Sequence, residues 1–409
     1  MVRTIILQCT SVSSMFMPNN NFLINMKKYT LISLFSFLII CMAGCQKGPD
    51  FGDVVYLTGT MSQPIVRFTV DGPSSMGLTI TATDKVKADQ KAVIKAAPEL
   101  MKAYNEANGR NYEVPPADAY SLQDGSVTIK SGDYISSQAK LTVNPDKMKK
   151  GVAYCLPVTI ASSEGEFGVL QSSRTAYVVF NQVITSKVAN IQGMYYSVPS
   201  FMGSGASSVN SMDQLTMECK VYVNAFQGSN PYISSVIGIE ERFLLRFGDV
   251  SCDKDQLQLA AGTVGGKKYP MTLEMHFATG RWYHLACVYD GKTITMYVDG
   301  KAQSSVTTSG GKVDLSWDYM DGFHIGRSER GRYLNGWVSE ARVWNVARTP
   351  AELEDCVCYV DPTTPGLVAY WSFDGTVQED GSVQDLTGHG HNAVPSSTPQ
   401  WVENQKCPF

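Results

Sequence analysis

Leu215, Met217, Cys219, Val221 and Val223 alternate with Thr216, Glu218, Lys220 and Tyr222, so an extended segment here would be apolar on one face and polar on the other. That period of two predicts a half-buried strand. It recurs at Ile294, Met296 and Val298, and again over residues 337–344. Asp290-Gly291 and Asp299-Gly300 bracket the first of these repeats. Such dipeptides form tight turns, so residues 284–289 and 293–298 should pair as a hairpin.

Toward the N-terminus, strand-like runs lie at 54–57, 65–70, 78–83, 126–129, 139–143, 156–160 and 176–180. Turn residues such as Asp71-Gly72, Asp124-Gly125 and Lys150-Gly151 separate them. Between the third and fourth runs, Val93, Ala97, Leu100, Met101 and Tyr104 recur at steps of three or four, which predicts one helix. Asn108-Gly109 ends it, because these residues accept the left-handed conformation of a C-cap. Thr349, Pro350 and Glu352 have the order of a second helix start: N-cap, first-turn proline and a glutamate reaching back. The chain therefore reads as mainly β, a sandwich with one helical insertion over about 55–184 followed by a second, almost wholly β domain over about 188–409.

Before these domains the pattern changes. Lys27 and Lys28 precede an apolar run over residues 31–40, and the small residues Ala43-Gly44 stand directly before Cys45. Spanning a bilayer takes about 20 apolar residues, and this run is shorter. Residues 26–44 are similar to a bacterial lipoprotein signal, which implies cleavage before Cys45 and lipid attachment to its sulfur. Residues 1–25 read as an upstream extension, with Met26 as the true start, and 45–54 as a polar tether. Acidic residues, which in such bacteria promote surface display, appear only at Asp50 and Asp53.

Charge then narrows the field. Of the 34 basic residues, Arg3, Lys27 and Lys28 leave with the signal and no acidic residue does. This leaves 31 basic against 38 acidic groups, a formal charge of −7. Non-specific nucleic-acid binding needs a basic surface, so that partner class is excluded. Seven cysteines follow Cys45, and their spacing matches no zinc or disulfide framework. Cys219 and Cys287 fall on apolar strand phases and read as buried thiols; Cys356 or Cys358 is placed to bond with Cys407 in an oxidising compartment.

Two sets of residues carry a family resemblance. Tyr104-Asn105-Glu106-Ala107-Asn108-Gly109, Tyr112, the segment 116–120, and the runs 151–160 and 175–179 resemble an immunoglobulin-like domain family. Its members follow the lipid anchor in surface lipoproteins of gut-dwelling Gram-negative anaerobes. Arg281-Trp282-Tyr283-His284-Leu285-Ala286-Cys287-Val288-Tyr289-Asp290-Gly291 with Met296-Tyr297-Val298-Asp299-Gly300 is similar to the signature hairpin of laminin-G-like, concanavalin A-like jelly-roll sandwiches. Ile325-Gly326-Arg327, the segments 334–344 and 366–373, and Asp385-Leu386-Thr387-Gly388-His389-Gly390-His391-Asn392 extend the match to the C-terminus. The resemblance implies an immunoglobulin-like spacer carrying a concanavalin A-like domain that binds carbohydrate or protein, with catalysis in some members.

Retaining glycosidases on this fold carry carboxylates alternating along one strand, and no such string occurs; Glu240-Glu241 are adjacent and would point apart. No catalytic residue is assigned. His389 and His391 lie in a glycine-rich turn and are assigned to no metal. The resemblance implies a structural calcium ion, with Asp374 and Asp385 as candidate ligands. Sugar binding uses aromatic faces against the C–H face of a pyranose. Trp282, Trp344 and Trp371 fall within strands and read as packing. Trp317, Tyr319, Tyr333 and Tyr232 lie in polar loops and are the candidate ligand contacts.

The expected function is capture of polysaccharide or glycoprotein glycans at the outer membrane, facing the cell exterior, in association with glycan-uptake proteins. An adhesin for protein ligands and a glycoside hydrolase with an unrecognised site are the alternatives.

Overall fold

A computed structural model describes residues 52–202 and 206–407. The upstream extension, the signal 26–44 and Cys45 lie outside the described residues. From Asp53 onward the chain forms one compact unit built of two sandwiches.

The first sandwich is centred on a five-stranded sheet ordered Ile65–Val70, Thr175–Gln182, Tyr154–Glu164, Gln90–Ala96, Ser126–Ile129. Two three-stranded sheets, one around Val54–Leu57 and one around Ala139–Val143, complete it. Val55, Ile80, Leu141, Leu156, Val158 and Val178 fill the space between the sheets and are fully buried. The helix is shorter than its pattern implied. Residues Gln90–Ala96 form a strand in which Gln90, Ala92 and Ile94 point inward while Val93 is exposed. Pro98 then opens a single 3-10 turn, and the α-helix runs over Met101–Asn108. Val93 thus matched the helical period by coincidence, whereas Gly109 adopts the left-handed C-cap (φ 59°) expected of it.

The second sandwich packs a seven-stranded sheet on an eight-stranded one. The seven-stranded sheet runs Met271–His276, Cys252–Ala260, Phe243–Asp249, Ser234–Ile239, His324–Ile325, Tyr196–Ser197, Val394–Pro395. In the other, Leu215–Ala225 lies centrally between Trp282–Tyr289 and Asn335–Trp344. Thr293–Val298 pairs with Trp282–Tyr289 as the hairpin signals required. The opening strand Ile184–Asn190 pairs with the closing strand Gln400–Cys407, so the two ends of the domain are joined in one sheet.

The polar phase of Leu215–Ala225 is not solvent-facing. Thr216 and Glu218 are buried where the chain after Trp344 reaches Thr216 through Val346 and Arg348, and Lys220 is buried over the Trp282 ring. The helix Pro350–Asp355 packs its Leu353 on Ala286, Val288 and Tyr297 of the adjoining strands. Thr216 Oγ1 donates to the Val346 carbonyl at 2.8 Å, and Arg342 Nη1 to that of Cys356 at 3.0 Å. Burial alone would neutralise Glu218. The Arg342 guanidinium at 3.4 Å and His284 Nε2 at 2.8 Å outweigh it and hold the carboxyl down at about 2. Thr349 closes the expected capping box with Glu352.

The same helix joins the two sandwiches. Asp355 receives Arg110 Nη1 at 2.8 Å, the Tyr112 hydroxyl at 3.1 Å and Arg67 at 3.4 Å, and Glu354 pairs with Arg67 at 2.9 Å. Three donors from the first domain thus converge on one largely buried carboxylate of the second. Cys358 forms the disulfide with Cys407, while Cys356, Cys219 and Cys287 are free thiols, the latter two buried.

Candidate ligand-binding face

The outer face of the seven-stranded sheet is polar along one cross-strand row. Ser235, Arg246, Gln258 and Thr272 stand opposite one another on four adjacent strands. Arg246 Nε donates to Gln258 Oε1 at 2.9 Å, and Gln258 Nε2 donates on to Thr272 Oγ1 at 3.2 Å. Side chains on alternate positions share a face, so the register alone places these groups in line.

At one end of this row sits Glu240, 2% exposed, in the turn after Ser234–Ile239. A carboxylate at that depth needs full pairing. It accepts from Arg246 Nη1 at 3.1 Å, Arg332 Nη1 at 3.0 Å and the Ser328 hydroxyl. Its neighbour Glu241 turns outward to Lys268, so the two acids do point apart, though on a turn rather than a strand. A depression of 410 Å³ opens over the row, bordered by Glu241, Arg246, Asp249, Lys268 and Thr272.

Of the candidate aromatics, Trp317, Tyr333 and Tyr232 are tied to this face by their contacts, and Tyr319 is not. Trp317 is 42% exposed, and the Arg242 guanidinium lies 3.5 Å over its ring; Arg242 closes the same turn that carries Glu240. Tyr319, 40% exposed, follows in a 3-10 turn. Tyr333 is half-buried beside the Glu240-bound Arg332 and lies 6.1 Å from Tyr195, whose ring Arg327 covers at 4.4 Å. Tyr232, 42% exposed, stands at the other end of Phe243–Asp249, where its carbonyl abuts Gly248. It borders a second depression of 460 Å³ that shares Asp249 with the first.

The structure therefore sets Trp317 and Tyr232 at opposite ends of one polar strand face, with Tyr333 alongside through Arg332. Among the described residues of the second sandwich, Tyr232, Trp317 and Tyr319 are the exposed aromatics. Sequence reasoning missed Arg242, Arg327 and Tyr195, because nothing local distinguishes an arginine stacked on an aromatic from one in solvent.

Other candidate chemistry resolves differently. Trp344 and Trp371 are fully buried packing residues; Trp282 is 5% exposed and borders a cleft. The Asp385 carboxylate accepts from the backbone of Thr387 and His391 in its own turn and of Tyr370 in the strand Leu367–Trp371, and Asp374 accepts from that of Thr376. His391 bridges two hydroxyls, Ser200 at 2.9 Å and Ser208 at 3.2 Å, and burial depresses its pKa below the usual histidine value. His389 Nδ1 contacts the Val368 carbonyl at 2.9 Å. Among the described residues, Asp253, Asp255 and His276 are a group with ligand atoms within 4.8 Å of one another; they are largely exposed.

Comparison with known proteins agrees with this architecture. Residues 202–354 match the laminin-G-type family model of the concanavalin A-like lectin/glucanase superfamily, and residues 50–166 match a model described as an N-terminal domain. The second half of the chain is thus a concanavalin A-like sandwich. A crystal structure of a candidate carbohydrate-binding protein from Bacteroides ovatus is 25% identical, with a TM-score of 0.52, over 86% of this chain and 98% of its own. A pentraxin from Limulus polyphemus (13% identical, TM-score 0.34) covers 55% of this chain and 98% of its own. The sialyllactose-bound module of a Ruminococcus gnavus sialidase (16%, TM-score 0.30) covers 42% and 95%. At those scores the last two carry no weight. No curated protein matches the sequence.

Proposed function

We propose that this protein is a lipid-anchored surface protein that holds polysaccharide or glycoprotein glycans through its C-terminal sandwich, without cleaving them, for a glycan-uptake system at the outer membrane. The observation that carries the reading is the face between Trp317 and Tyr232. Exposed aromatic rings lie beyond the two ends of a seven-residue strand that is itself about 20 Å long, with fixed charged and amide groups between. Rings bind the C–H faces of sugars and the polar row binds hydroxyls, so an extended chain of several sugar units suits the surface. The likeness to the Bacteroides ovatus protein over most of both chains supports the same class of ligand. The signal-like stretch ending at Cys45 supports the anchor.

Affinity electrophoresis of a soluble Cys45→Ser mature chain through gels containing single polysaccharides tests the proposal. Retardation by at least one glycan is expected. A folded chain that no glycan retards, yet that binds protein after complete deglycosylation, would replace the proposal with the adhesin reading.

A further inference from the structure

A cleft of 770 Å³ separates the two sandwiches beside the Asp355 contacts, on the opposite side of the second domain from the Trp317 face. Its floor belongs to the outer face of the eight-stranded sheet. There Trp282, Tyr222 and Trp337 stand opposite one another on three adjacent strands. Tyr222 stacks on Trp337 at 4.1 Å and meets Trp282 edge-on at 5.7 Å, so the row is one continuous aromatic surface. Tyr222 and Trp282 border the cleft directly.

The opposite wall comes from the first domain, from Arg67, residues 151–153 and residues 179–182. The two domains approach closely at its edge: a Cβ on Gly151 would lie 2.0 Å from the Tyr359 ring, and Gly151 has φ +77°. Charges at the cleft are matched locally, Arg67 with Glu354 and Asp355, and Arg281 with Asp299 at 3.4 Å. An added net charge on a ligand would find no unmatched partner among these groups. What remains is an aromatic floor, aliphatic patches and the amides of Asn181 and Gln182. That combination suits a neutral molecule with C–H faces and many hydroxyls, and the volume falls in the range of small-ligand sites.

We propose that this interdomain cleft is a second carbohydrate site, which takes a short neutral oligosaccharide and exists only while both domains are docked. It is independent of the Trp317 face. The first domain is then half of a binding site in addition to a spacer.

Titration calorimetry of the Cys45→Ser mature chain with neutral hexasaccharides of glucose, xylose, mannose, galactose and arabinose tests this, with hexagalacturonate as the charged control. Asn181→Trp fills the cleft from the first domain; Arg281→Trp, at a side chain 57% exposed, fills it from the second without disturbing the core. At least one neutral hexasaccharide should bind. Either plug, with unchanged circular dichroism, should weaken that binding at least tenfold, whereas Met61→Trp, an equally large addition at an exposed position outside the cleft, should leave it within twofold. Binding that survives both plugs, binding abolished by Trp317→Ala alone, preference for the charged control, or no binding by any neutral hexasaccharide would each overturn the proposal.

Discussion

The Arg242 guanidinium lies 3.5 Å over the Trp317 ring, two residues along the chain from Glu240, the carboxylate that also holds Arg332 and Arg246. One turn therefore fixes both an aromatic platform and the charged end of the polar row. A stacked cation holds an otherwise mobile loop ring in one orientation and reduces the entropy lost when a ligand binds. Replacing Arg242 with Ala should leave the melting temperature within about 2 °C, given its surface position. Sugar affinity should fall roughly threefold, as the Trp317 ring is freed. Calorimetry on the variant checks both numbers.

Asp355 is the carboxylate on which Arg67, Arg110 and Tyr112 converge. Asp355→Asn removes the charge but keeps the volume. The charge-assisted bonds it loses should cost about 2 kcal/mol. Limited proteolysis should then cut near residues 182–184, between the two sandwiches, faster than in the wild type. Equal cleavage rates would show that the domains stay docked without this contact.

His391 supplies a pH dependence. Burial lowers its pKa below 6.5 in the folded chain, so the unfolded chain binds more protons just below that value. The stabilisation from the neutral ring is fully present above pH 6.5 and is lost as pH falls through the depressed folded value. Thermal melts at pH 7 and pH 5 should show a larger drop for the wild type than for His391→Gln, and identical drops would contradict this assignment.

Cys358 and Cys407 are 49 residues apart, so their bond closes a long loop and should contribute roughly 2–4 kcal/mol. Reduction, or Cys358→Ser, should lower the free energy of unfolding by that amount, as extrapolated from urea titration. The same change at Cys356, a free thiol, should have little effect.

Features with local causes were legible from the residues alone. The Thr349 capping box, the Gly109 C-cap and the 282–298 hairpin depend on neighbours a few positions away, and the structure shows each of them. Val93 misled because four-residue spacing and strand alternation overlap over a short run, and Pro98 decides between them. The burial of Thr216 and Glu218 was hidden for a different reason. The segment that covers them arrives about 130 residues later, as the Val346 contact to Thr216 shows. The candidate site divided along the same line. Of the loop aromatics with polar neighbours, Trp317, Tyr319 and Tyr232 are exposed and Tyr333 is half-buried, while Arg242 against Trp317 and Tyr195 against Tyr333 come from distant parts of the chain.

The central claim is that the Trp317 face holds glycan. It is tested most directly by titrating the Cys45→Ser chain and its Trp317→Ala variant with a polysaccharide that retards the wild type. Loss of one stacking platform is expected to weaken binding about 3- to 10-fold with no change in fold. Equal affinities for the two proteins would contradict the claim.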